Sequence, residues 1–255
     1  MKSLETKLRA VRESGRKALV PYFMAGLTPD WTQHVEAAVH AGADAVEIGI
    51  PFSDPIMDGI VIQEAALTSL ARGTNLDSIS ADLAKMSVDV PLITMTYFNI
   101  FHHYGLERSI GKLVESGIEG AIVPDLSLEE SDEWAAICDT HDLANIFIVA
   151  PSTSTERAIK LAKASEGFCY ASARMAVTGK ASDEGGAEDV VAGIRAGSDI
   201  PAYVGIGIST PEQARLASLV GDGVIVGSAL VKLLLDGAGP GEVEEFINSF
   251  RRAID

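Results

Sequence analysis

One pattern recurs along this chain: an amphipathic stretch, a glycine, then a short apolar run. HAGADAVEIGIP, ESGIEGAIVPD and VGDGVIVGSA are three instances. A short run that is apolar throughout, rather than alternating, suits a parallel strand covered on both faces. The pattern predicts eight strands: Ala18–Met24, Ala45–Ile50, Pro91–Tyr97, Gly120–Pro124, Asn145–Ala150, Gly167–Ala171, Pro201–Ile206 and Gly223–Val226. Amphipathic stretches separate them at Trp31–His40, Leu76–Met86, Glu107–Glu115, Glu130–His141, Thr155–Ala164, Ala187–Ala196, Pro211–Leu219 and Leu230–Leu235. A further helix, Leu4–Ser14, precedes the first strand, and another, Pro240–Ala253, closes the chain. Eight strand-then-helix units in 255 residues is the count of a TIM (β/α)8 barrel with an extra N-terminal helix. An open doubly wound sheet is the rival, but neither GxGxxG nor GxxxxGK(S/T) follows the first strand. No linker or low-complexity segment interrupts 1–255, so one domain is expected.

Composition removes several classes of function. The net charge of −16 argues against nucleic-acid binding, which needs clustered Lys and Arg. It also gives a phosphorylated substrate no help from the overall field, so a phosphate site must rely on local backbone donors. No run of about 18 apolar residues is present, and the charged N-terminus has no signal-peptide core. The two cysteines, Cys138 and Cys169, imply a reducing, cytoplasmic setting rather than a disulfide framework. Neither they nor the five histidines show metal-ligand spacing, so no metal is expected.

The stretch Gly42–Gly59, GADAVEIGIPFSDPIMDG, carries the chemistry. Alternation along its strand puts Ala45, Glu47 and Gly49 on one face and Val46, Ile48 and Ile50 on the other. The aliphatic face packs on helices; the small face aims Glu47 at a cavity. A buried, unpaired carboxylate has a raised pKa, as an acid/base group working near neutrality needs. The alternative is a Lys or Arg from a neighbouring strand holding Glu47.

In a barrel of this kind the active site lies at the C-terminal ends of the strands. Polar residues there are Glu47, Asp58, Tyr97, Asn99, Asp125, Tyr170 and Arg174. The loops after the last two strands, Gly205–Ser209 (GIGIS) and Gly227–Ala229 (GSA), have the glycines that let backbone N–H groups approach a phosphate. Neither loop contains Lys or Arg; Lys180 and Lys232 are nearest in sequence. The competing reading makes GSA a plain turn with Ser228 as helix N-cap.

These motifs closely resemble the tryptophan synthase alpha subunit family. The likeness is colinear through VPY, MAG and TPD, GADAVEIGIPFSDPIMDG, MTYFN, VPDLSLEES, APSTS, VTG, GIGIS and GVIVGSALVK. It implies reversible retro-aldol cleavage of indole-3-glycerol phosphate to indole and glyceraldehyde 3-phosphate. It implies no cofactor for that half reaction, and a beta subunit partner in an alpha2beta2 tetramer. By position in those motifs, Glu47 matches the general acid/base and Asp58 the carboxylate that holds the indole N–H. Tyr22, Tyr97, Leu126 and Tyr170 match pocket walls, and Gly179, Gly207, Gly227 and Ser228 match phosphate ligands. Thr178 matches a threonine of the sixth-loop lid that orients the loop-two aspartate.

The chain also departs from the family pattern. Ala173 and Ala176 replace a serine and a glycine, Ile60 a proline, and Ile206 an aromatic residue. These bear on lid closure and on coupling to a beta subunit. A stand-alone lyase that releases free indole has the same catalytic pair. An isomerase acting on another phosphorylated sugar would need a different pair, and PFSDPxxDG argues against it. Glu47 and Asp58 together argue against a purely regulatory subunit.

Overall fold

The computed structural model describes residues 1–172 and 186–255. Nine parallel strands form one nearly closed barrel, ordered β5-β4-β3-β2-β1-β9-β8-β7-β6. They are β1 Ala18–Met24, β2 Val46–Gly49, β3 Leu92–Met95, β4 Ile118–Ile122, β5 Ala144–Ile146, β6 Ile148–Val149, β7 Cys169–Ser172, β8 Ala202–Gly205 and β9 Gly223–Val226. The expected fifth strand is therefore two pieces separated by Phe147. β5 pairs with β4, and β6 pairs with β7, so the chain bends there to close the ring.

The α-helices among the described residues are α1 Ser3–Glu13, α2 Trp31–His40, α3 Ile60–Ala71, α4 Leu76–Leu83, α5 Phe98–Tyr104, α6 Leu106–Glu115, α7 Asp132–Thr140, α8 Thr155–Ala164, α9 Ala187–Gly197, α10 Pro211–Val220, α11 Ser228–Leu235 and α12 Pro240–Ile254. Two of these were not expected. In α3 the buried positions are Ala65, Ala66 and Ser69, while Ile60 and Leu67 point to solvent. Val61 and Ile62 pack partly against the core while Ile60 and Leu67 are exposed, so no clean apolar stripe marks it. Helix α5 is only seven residues long, too short to show a period. The third strand also ends early, at Met95, and Tyr97 is the N-cap residue of α5 rather than a strand residue.

The two faces of β2 divide as the alternation requires. Val46, Ile48 and Ile50 belong to the large cluster between strands and helices. Ala45 belongs to a second cluster inside the barrel, with Val20, Ile93, Ile122, Tyr203 and Ile225. That inner cluster also contains Leu4 and Leu8 of α1, both buried. Gly120 of β4 and Gly167, two residues before β7, make room for Leu4: a methyl added at either would lie 2.6 Å from Leu4 Cδ2. The N-terminal helix thus plugs the end of the barrel opposite the strand C-termini. Near that end Asp44 accepts hydrogen bonds from the Leu19 amide at 2.9 Å and Arg251 Nη1 at 2.8 Å, fastening α12 to β1.

Removing the plug's contacts opens a cavity that the glycine-backed floor has no side chains to fill. Leu4→Ala is expected to cost about 2–5 kcal/mol, read from urea unfolding. A loss under about 1 kcal/mol would place Leu4 outside the barrel core.

Candidate active site

Glu47 lies within β2, paired in register with Tyr22 of β1 and Ile93 of β3. It is 1% exposed, and its Oε2 has no hydrogen-bond partner among the described residues. No Lys or Arg among them pairs with it either, so the neighbouring-strand cation does not materialise there. Burial, with Asp58 adding to it, pushes the Glu47 carboxyl up to about 8. At neutral pH Glu47 is therefore mostly protonated.

Asp58 comes from the loop between β2 and α3. Its amide donates to Pro55 O at 3.1 Å, and Gln63 Nε2 donates to its carbonyl at 2.8 Å. Burial raises its carboxyl, and a hydrogen bond from Tyr97 partly opposes the rise. Tyr97 Oη donates to Asp58 Oδ2 at 3.2 Å and accepts from the Met57 amide at 2.9 Å. The Tyr97 ring stacks on Phe52 with centroids 5.1 Å apart. Tyr22, Ile50, Phe52, Asp58, Tyr97 and Pro124 line one small cavity. Leu126 is not on its wall; it lines an adjoining cleft with Asp125, Phe147 and Arg157, and Pro124 borders both.

Two further tyrosines, Tyr22 of β1 and Tyr170 of β7, belong to this end of the barrel. Tyr22 and Tyr170 are both buried, and burial is the main cause that holds their hydroxyls well above the ordinary phenol value. The charges of Glu47 and Asp58 add to both shifts. Each ring lies across a strand glycine. A methyl at Gly49 would lie 2.0 Å from Tyr22 Oη, and one at Gly205 would lie 2.2 Å from Tyr170 Oη. Sequence reasoning missed both seats, as it missed Phe52. A glycine inside a strand run is the signal for such a close approach. Gly205 was instead grouped with the phosphate loop.

The two glycine loops differ in what they leave free. At the start of α10, Gln213 Oε1 accepts from the Ser209 amide at 2.8 Å and the Thr210 amide at 3.1 Å. Thr210 Oγ1 accepts from the Gln213 amide at 3.3 Å, so a capping box occupies this helix end. At α11 the N-cap is Gly227, and no side chain caps the helix. Ser228 is its first residue, which corrects the reading of Ser228 as an N-cap. A methyl at Gly227 would lie 3.7 Å from Tyr22 Cβ, so this uncapped turn opens beside the tyrosine. Lys232 forms an ion pair with Asp236 one turn on. Gly207 and Ile206 both have positive φ, +73° and +88°, and Ile206 is a β-branched residue in a conformation that favours glycine. Asn99 is exposed; Asp125 accepts from the Phe98 amide at 2.8 Å. Ala173, Arg174, Ala176, Thr178, Gly179 and Lys180 lie outside the described residues. Among the described residues, no group of three or more His, Cys, Asp or Glu side chains could hold a metal ion.

The sequence profile described as "Tryptophan synthase alpha chain" matches residues 8–249. The chain belongs to the tryptophan synthase alpha chain family. It is 40% identical to the tryptophan synthase alpha chain of Methanosarcina mazei, covering 98% of this chain and 92% of that one. Against the alpha chain of Streptomyces coelicolor it is 41% identical, covering 91% and 88%. Among solved structures, it superposes on tryptophan synthase from M. tuberculosis in its aminoacrylate-bound form with a TM-score of 0.90 and 32% identity, over all of both chains. The alpha subunit from Legionella pneumophila gives 0.88 at 32% identity, over 100% and 99%.

A tryptophan synthase alpha chain that buries its acid this way carries a stability cost. The folded-state pKa of Glu47, about 8, lies above the unfolded value of 4.5. Between those values the native state holds more protons, so stability falls as pH rises. Glu47→Gln removes this loss. The variant is expected to match the parent near pH 4.5 and to exceed it by a few kcal/mol at pH 8, read from unfolding midpoints across that range. A stability difference that is flat with pH would show that Glu47 titrates normally.

Proposed function

We propose that this chain carries out the reaction of its family, the retro-aldol cleavage of indole-3-glycerol phosphate to indole and glyceraldehyde 3-phosphate. The observation that carries the assignment of roles is Glu47 itself: buried, unpaired among the described residues, raised to about 8, and near a second carboxylate. The substrate's carbon–carbon bond breaks only once indole C3 is protonated, because the ring carbanion is a poor leaving group. Glu47, protonated at rest, donates that proton to C3. Positive charge develops at N1, where Asp58 accepts the N–H hydrogen bond and stabilises it. Glu47, now a carboxylate, takes the proton of the hydroxyl on the carbon being released. The C3–C3′ bond breaks, its electrons restore the indole ring, and the hydroxyl carbon becomes the aldehyde. Glu47 ends as it began, with one proton lost and one gained.

The uncapped start of α11 is our assignment for the phosphate, with Gly207 contributing from the preceding loop. Its free N–H groups and the helix dipole favour an anion, where the chain's net charge of −16 does not. Gly227→Val fills the approach and is expected to raise KM at least about tenfold, or roughly 1.4 kcal/mol. Lys232→Ala is expected to change it far less, because an exposed ion pair contributes little. A larger effect from Lys232→Ala would assign the phosphate to a point charge.

Loop two also faces outward. Ile56, Met57 and Ile60 are 87%, 59% and 82% exposed, an apolar patch beside the site. We assign it to contact with a tryptophan synthase beta subunit, in an alpha2beta2 assembly in the cytoplasm. The buried free cysteines and the lack of any described helix able to cross a membrane accord with that location. The test is indole release by the chain alone and with added beta subunit. The parent is expected to gain at least about tenfold on docking, and Met57→Asp to gain little. Glu47→Gln is expected to lose at least about 10² in rate, and Asp58→Ala to be inactive. High activity alone with no gain on docking would favour a stand-alone lyase; full activity of Glu47→Gln would remove the acid/base assignment.

A further inference from the structure

One hydroxyl joins the outer face of loop two to the acid inside it. Tyr97 Oη accepts the Met57 N–H at 2.9 Å and gives its own proton to Asp58 Oδ2 at 3.2 Å. Met57 and Asp58 are adjacent in the chain, so a single oxygen fixes the backbone of one and the side chain of the other. The Tyr97 ring is held in turn by stacking on Phe52, and its backbone is the N-cap of α5. Loop two has no regular structure, and its other bonds are within the loop or to the start of α3: the Ile56 amide to Asp54 O at 2.9 Å, the Asp58 amide to Pro55 O at 3.1 Å and Gln63 Nε2 to Asp58 O at 2.8 Å. Those shape the turn but do not anchor it to the barrel. Tyr97 does.

We propose that Tyr97 is a positioning residue that latches loop two, holding one carboxylate oxygen of Asp58 so that the other faces the substrate's N–H. The proposal rests on the reading of Asp58 given above. An ionised carboxylate has two oxygens and accepts several bonds. With Oδ2 taken by Tyr97, and no described side chain on Oδ1, the carboxylate presents a fixed edge to the cavity. The latch also gives pressure on the exposed Met57 side chain a short path inward. Any shift of the Met57 amide must stretch a bond to the same hydroxyl that orients Asp58. A partner docked on Ile56 and Met57 would therefore tighten or slip the acid without touching it.

The electrostatics agree with this geometry. The ionisable groups that surround Asp58 are Glu47 from β2, Tyr22 from β1, Tyr170 from β7 and Tyr97. Of these, Tyr97 is the one whose hydrogen bond favours the ionised Asp58, against the burial that disfavours it. Losing the hydroxyl therefore raises the Asp58 pKa.

Tyr97→Phe keeps the ring and its stacking and removes only the oxygen. With 13C-carboxyl-labelled aspartate, and Asp58→Asn to assign the signal, the Asp58 midpoint is expected to move up by about one pH unit, a tenfold gain in proton affinity. The acid limb of kcat/KM is expected to move with it. An unmoved Asp58 midpoint in a folded Tyr97→Phe chain would overturn the latch. A moved midpoint with an unmoved rate profile would keep the latch and remove Asp58 from the chemistry. A second measurement needs no variant. The Met57 amide in the unsubstituted chain is expected to exchange at least about tenfold slower than an unstructured amide. Exchange at the unstructured rate would also overturn the proposal.

Discussion

Burying a carboxylate with no cation beside it among the described residues is the constraint on which this structure turns. Stranded charge in an apolar interior is costly enough that the group holds its proton instead. Everything around Glu47 serves to make that burial possible at one end of the barrel. The face of β2 that it shares with Ala45 and Gly49 is small, so the carboxyl points into the ring rather than being crowded from it. Gly49 of β2 and Gly205 of β8 let the rings of Tyr22 and Tyr170 lie across the strand next to their own, closing the surroundings with aromatic surface. At the other end α1 and its leucines seal the barrel against water. One end is made rigid and dry by packing, so the other can hold an unsatisfied acid.

The same division explains how an acidic chain can hold an anion. Of the two helices that follow the last two strands, α10 begins capped and α11 does not. Gln213 and Thr210 satisfy the first amides of α10, while α11 starts at Gly227 with no side chain on its orphan donors. Local dipoles, not net charge, decide where negative charge is accepted. The uncapped turn and the two acids lie on either side of Tyr22.

Much of this was legible in the residues, for identifiable reasons. Parallel strands buried on both faces are short, apolar and glycine-bounded, so the β-then-α count emerged directly. Glu47 stood out because it breaks such a run on its small-residue face. What stayed hidden lacks a periodic or compositional mark. Helix α3 fully buries two alanines and a serine while exposing Ile60 and Leu67, so its apolar residues follow no single face. The break at Phe147 reflects ring closure between β4 and β7, a non-local demand. Ser228 looks like a cap residue, and only the backbone shows that Gly227 takes that place. The link from Tyr97 to Asp58 spans 39 residues, and no local rule joins them.

The central claim is that the barrel keeps Glu47 protonated at neutral pH. Its most direct test is the titration of that one carboxyl by 13C NMR of glutamate-labelled protein, with Glu47→Gln supplying the assignment. The account predicts a midpoint of about 8. A midpoint near the ordinary glutamate value of about 4.3 would contradict it, and would mean that water or a cation reaches Glu47.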